Sequence, residues 1–204
     1  TQWYHFAFIS VSVALLGFGA SGTWLALRQG SDSWVPSQTI IGERNRTALR
    51  RLAAFACFFS LGILIAYLAM NHVPFDSYCI AWERRQLLYL ALYYPALIVP
   101  FFFAGLCIGL ALATWPERAH ALYAANLAGS AAGSLAMLLF VPLLGGVGAV
   151  LCASLLGILA ALIFSLQVFT RRFGTHFVYL GICAALLVLS VHPLPWFALR
   201  LSPY

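Results

Sequence analysis

Lysine is absent from the chain, and the only carboxylates are Asp32, Glu43, Asp76, Glu83 and Glu117. Charged residues make up 8% of the 204 positions, against roughly 25% in soluble domains. Such a chain cannot cover itself with a charged, water-facing surface. Also missing are a glycine-rich nucleotide loop after a strand, a P-loop and an HExxH pair. No two carboxylates sit where general acid–base chemistry would need them. The five cysteines (Cys57, Cys79, Cys107, Cys152, Cys183) form no CxxC pair and no CxxCH. Four of them fall inside apolar runs, where cysteine acts as a small hydrophobe. The sequence therefore predicts no catalytic residue, no metal site and no cofactor site.

What is present is hydrocarbon. Hydrophobic residues account for 63% of the chain, and the mean hydropathy is +0.94. Several runs reach the ~20 residues a helix needs to cross a bilayer, and none shows the short alternation of a membrane β-barrel. The expected fold class is all-α: a polytopic integral membrane bundle of about six transmembrane helices, forming one domain over 1–204. The predicted spans are 6–27, 52–70, 86–113, 119–141, 148–169 and 176–191. Polar connections separate them, the most charged being 28–51. Pro95 and Pro100 predict a kinked third span.

The net charge is +6 and every basic residue is arginine. With six spans, Arg28, Arg44, Arg46, Arg50, Arg51, Arg118, Arg171 and Arg172 fall on one side. Arg84, Arg85 and Arg200 fall on the other. The positive-inside rule makes the richer side cytoplasmic, so the basic excess implies orientation in a membrane and no nucleic-acid partner. No Asp, Glu or Arg lies within a predicted span, which argues against a proton-coupled transporter or pump. A small-molecule transporter would need a polar site at mid-depth, for which Asn126, Tyr93 and Tyr94 are the candidates. His5, His72 and His192 fall near one face and His120 and His176 near the other, an arrangement that suits interfacial residues better than a haem or pigment site.

The stretch Tyr123 to Gly148 is dense in small residues at four-residue spacing. Ala125, Gly129 and Gly133 form one stripe, and Asn126, Ser130 and Ser134 form the one beside it. Such a face lets another backbone approach closely in lipid, while amide and hydroxyls bond across the contact. This helix is expected to be the hub on which the others pack. Gly105 and Gly109 carry the same pattern in the third span. The partners implied are the lipid bilayer and other membrane helices or a larger membrane complex.

Several stretches resemble the membrane half of spermidine-synthase-like integral membrane proteins. They are YHFAFISVSVALLGFGASG (4–22), HVPFDSYCIAWERRQLLYLALYY (72–94), PFFFAGLCIGLALA (100–113), LYAANLAGSAAGSL (122–135) and the closing RLSPY (200–204). The resemblance implies a membrane region that anchors or regulates a soluble Rossmann-type domain, in a bacterial inner membrane. That domain is not in this chain, so no catalytic residue is carried over. The start at Thr1 is expected to be that of a piece of something longer. The arginine count places Tyr204 outside, whereas such a domain belongs inside. The competing expectation is an accessory structural subunit of a respiratory or photosynthetic complex, packing against helices, lipids or pigments.

Overall fold

A computed structural model describes residues 2–29, 41–73 and 82–168, together with 181, 182, 185 and 186. Four helices account for nearly all of them: α1 (Gln2–Gln29), α2 (Ile41–His72), α3 (Arg84–Thr114) and α4 (Ala119–Val168). Each holds a stretch long and apolar enough to cross a membrane, and side chains such as Phe8 and Leu143 stay more than two-thirds exposed on their outer faces. In water that surface would be prohibitive; in a bilayer it is the ordinary exterior. The chain is a helical membrane protein.

The expectation of about six helices is corrected to four among the described residues. The predicted spans 119–141 and 148–169 both lie in α4, on either side of a break at Gly145, and the predicted span 176–191 lies outside the described residues except for the four named above. The boundary of α2 is also corrected. It starts at Ile41, not Leu52, so Arg44, Arg46, Arg50 and Arg51, read as loop residues, ride on the first three turns of α2, while Arg28 sits in the last turn of α1. Apolar periodicity marks only the part of a helix that meets lipid. Helix α3 continues through both of its prolines.

Contacts give the order in space and the chain directions. Helix α1 packs on α3, α3 on α2, and α2 on α4. Between α1 and α3 the partners climb in step, Gly17 with Phe101, Ser21 with Gly105 and Leu25 with Gly109, so these helices run parallel. Between α2 and α3 they run oppositely: Gly62 meets Val99 and Pro100, Phe58 stacks on Phe103 at 5.2 Å, and Leu52 lies by Cys107. Along α4 the buried positions Val147, Leu151, Ser154, Ile158, Ala161 and Ser165 alternate spacings of four and three, the repeat of a coiled-coil seam. Ser154 meets Ser60 on α2 along that seam.

Gly145 breaks α4. Its backbone (φ 71°, ψ 177°) is non-helical, in a region open essentially to glycine alone. Leu122, Tyr123 and Asn126 before the break line the same cavity as Phe164 after it. A straight helix would hold Asn126 and Phe164 about 57 Å apart, so α4 folds back on itself. Its first arm descends from the connection after α3, and its second arm climbs along α2.

Candidate functional site

Buried polar side chains in an apolar bundle must find partners, and several here find them in the packing. The hydroxyls of Ser60 and Ser154 lie 2.7 Å apart, and each also reaches the other residue's carbonyl, at 2.8 and 3.2 Å. Both serines are almost wholly buried. The close approach is possible because Gly157, one turn on, has no side chain; a Cβ there would sit 2.9 Å from the Phe59 ring and 3.0 Å from Ser60 Cβ. The hydroxyl of Tyr93 donates to the carbonyls of Met70 (3.0 Å) and Val73 (2.9 Å), which the end of α2 leaves without intrahelical partners.

The predicted packing residues divide into two groups. Gly105 and Gly109 are packed: Ser21 and Phe18 occupy the space a Cβ on Gly105 would need, and Leu25 does the same at Gly109. Ala125, Gly129, Ser130, Gly133 and Ser134 lie exposed on the first arm of α4, and Asn126 is half-buried. Among the described residues nothing comes within 4 Å of a Cβ built on Gly129 or Gly133. The hub expectation is therefore corrected for the described fold: α2, seated between α3 and α4, holds that place. The hydroxyl of Ser134 donates back to the Ser130 carbonyl at 3.0 Å instead of reaching across. Small residues permit a close contact but supply no partner for it.

The half-buried positions between 120 and 146 are Leu122, Asn126, Ala136, Phe140 and Leu144. They fall on one face at helical spacing, and Gly129 and Gly133 lie on that same face. The first arm thus leans inward near both ends and leaves a gap at its glycines.

The transporter candidates do not meet. Tyr93 lies at the end of α2, whereas Asn126 shares a cavity with Ala111 near the opposite end of α3. Along α3, Tyr93 and Ala111 are about 27 Å apart. His72 and His120 are exposed at opposite ends of the bundle. His5 has no described side-chain environment, and His176 and His192 lie outside the described residues. Among the described residues no three His, Cys, Asp or Glu side chains gather as a metal site would require.

One cavity combines apolar walls with a polar group that has no partner among the described residues. It holds about 240 Å³ between α2, α3 and the two arms of α4, and is lined by Leu52, Cys107, Trp115, Tyr123, Asn126 and Phe164 among others. A second cavity of about 280 Å³ shares Cys107, Ile108 and Phe164 with it and continues toward Ala104, Phe59 and Gly157. The Asn126 carboxamide makes no hydrogen bond among the described residues. The sequence offered Asn126 as a candidate for a polar site at mid-depth and as part of a packing stripe. It gave no sign of the groove, because the lining comes from three helices, with Leu52 and Phe164 far apart in the chain.

Compared with known proteins, the chain matches no family model, no curated protein and no solved structure.

Proposed function

We propose that this chain is a membrane-embedded, non-catalytic anchoring or regulatory domain of a spermidine-synthase-like protein in a bacterial inner membrane. The observation that supports it most is the use made of polar groups at depth. Ser60 and Ser154 bind each other, and Tyr93 closes the end of α2. These groups hold helices together, which is what an anchor requires. The family assignment rests on the resemblance of 4–22, 72–94, 100–113 and 122–135. Reading the gene beyond the codon for Tyr204 tests it. A frame running on into a glycine-rich, Rossmann-type domain supports the proposal, and an immediate stop codon removes it.

The uncovered glycines of the first arm favour a second reading, an accessory subunit of a larger membrane complex. Backbones approach closely in lipid where glycine lies at the contact, and Gly129 and Gly133 leave that room vacant. Extraction in mild detergent discriminates the two. Co-migration with a large complex supports the subunit reading; migration of the chain alone counts against it.

A further inference from the structure

We propose that the groove between α3 and α4 is a binding site for one acyl chain of a glycerophospholipid, with Asn126 hydrogen-bonded to the lipid's ester region. The two cavities share a wall at Cys107, Ile108 and Phe164 and form one apolar path. On α3 it runs from Trp115 to Ala104, about 16 Å. That is half the ~30 Å hydrocarbon thickness of a bilayer, the depth of a single leaflet. A companion transmembrane helix would need a groove of full depth, so the length selects a lipid chain over a helix.

The polar features lie at one end. Asn126, Tyr123 and Trp115 line the end nearest the connection between α3 and α4, and Tyr123 is more than half exposed there. Trp and Tyr favour the level of the headgroups, where ester and phosphate oxygens also lie. An unpaired carboxamide in hydrocarbon is costly, and an ester carbonyl at that depth would accept its N–H. Arginines flank this end on two walls. Arg51 directly precedes Leu52, and Arg118 closes the turn in which its backbone N–H bonds the Trp115 carbonyl at 3.0 Å. A lipid seated with its ester at Asn126 has its anionic phosphate among these cations.

The test uses the full chain in phosphatidylcholine–phosphatidylglycerol vesicles doped with a phospholipid carrying a diazirine midway along one acyl chain. After illumination, labelled residues are located by mass spectrometry. Preferential labelling of Cys107, Ile108 or Phe164 over Leu15 and Leu16, on the outer face of α1, is expected. Equal labelling at the two places overturns the proposal. Ala111→Trp fills the groove and should reduce the groove signal to that of the outer face. Asn126→Leu, at a half-buried position whose side chain makes no hydrogen bond among the described residues, should lower it about three- to tenfold, as loss of one hydrogen bond does. Unchanged labelling in Asn126→Leu overturns the ester contact. Efficient disulfide formation between two copies of Asn126→Cys would mean that a protein helix covers the groove, and would overturn the lipid assignment.

Discussion

Ser60 and Ser154 face each other across the contact between α2 and the second arm of α4, their hydroxyls 2.7 Å apart and each within reach of the other's backbone carbonyl. Two hydroxyls that satisfy each other in this way remove four polar atoms from hydrocarbon and set the register of the two helices. Register matters because the rest of the seam, Leu151, Ile158 and Ala161, is apolar and would tolerate sliding.

Removing either hydroxyl should be mildly destabilising, and the two losses should not add. Interhelical hydrogen bonds in membranes average about 0.6 kcal/mol and reach about 1.7 kcal/mol. Ser60→Ala and Ser154→Ala are each expected to cost about 1 kcal/mol. The double variant should cost clearly less than their sum, because either single substitution already breaks the bond between the two hydroxyls, which the sum counts twice. Reversible unfolding in mixed micelles measures all three. Strict additivity would show that the pair is not coupled.

The glycines separate into those that carry the fold and those that do not. A Cβ on Gly17 would sit 2.6 Å from Phe101 Cβ and 3.0 Å from the Ile98 carbonyl oxygen, so Gly17→Leu must drive α1 away from α3. Overpacking of this kind costs about 1–3 kcal/mol. Gly129→Leu and Gly133→Leu meet nothing within 4 Å and replace a poor helix former by a good one, worth up to about 0.8 kcal/mol each. The double variant is therefore expected to fold at least as stably as the parent and to lose only contacts with other proteins. Unfolding of the purified chain in that variant would mean that the first arm is packed after all.

Composition alone could not have drawn this distinction. Gly105 and Gly129 stand in similar surroundings, FFFAGLCIG and AANLAGSAAG, and both read as contact faces. The difference lies in what stands opposite among the described residues: Ser21 and Phe18 for Gly105, and nothing for Gly129. That depends on where α1 and the first arm of α4 settle, a tertiary fact. Helices α1 and α3 were legible because apolar runs of bilayer length are unambiguous. The first turns of α2 were not, because arginine-rich helix beyond the lipid looks like loop. Ser60 and Ser154 were hidden inside apolar runs, although the alternating four-and-three repeat from Val147 to Ser165 was there to place Ser154 on a buried face.

Tyr93 predicts a local effect with no global one. Its hydroxyl bonds the Met70 and Val73 carbonyls at the end of α2. Tyr93→Phe keeps the ring and removes the bonds, at a cost of about 1 kcal/mol. Hydrogen exchange should quicken in the last turn of α2 and stay unchanged around Ser60. Faster exchange throughout α2 would show that the hydroxyl supports more than the helix end.

The reversal of α4 makes the sharpest geometric prediction. Nitroxides on Asn126→Cys and Phe164→Cys, whose parent residues line one cavity, should give a spin–spin distance of about 10–20 Å in bilayers, whereas 38 residues of unbroken helix would separate them by about 57 Å. The turn depends on Gly145, whose φ of 71° costs an L-residue about 1–3 kcal/mol. Gly145→Val should therefore broaden the short distance or shift part of the population to longer values. Neighbouring Gly146 serves as a control: it is exposed, and no backbone conformation reserved to glycine is found there. Gly146→Ala should leave the distance unchanged. A long distance in the parent chain would show that the arms do not fold back, and the cavity between them would have to be given up with the turn.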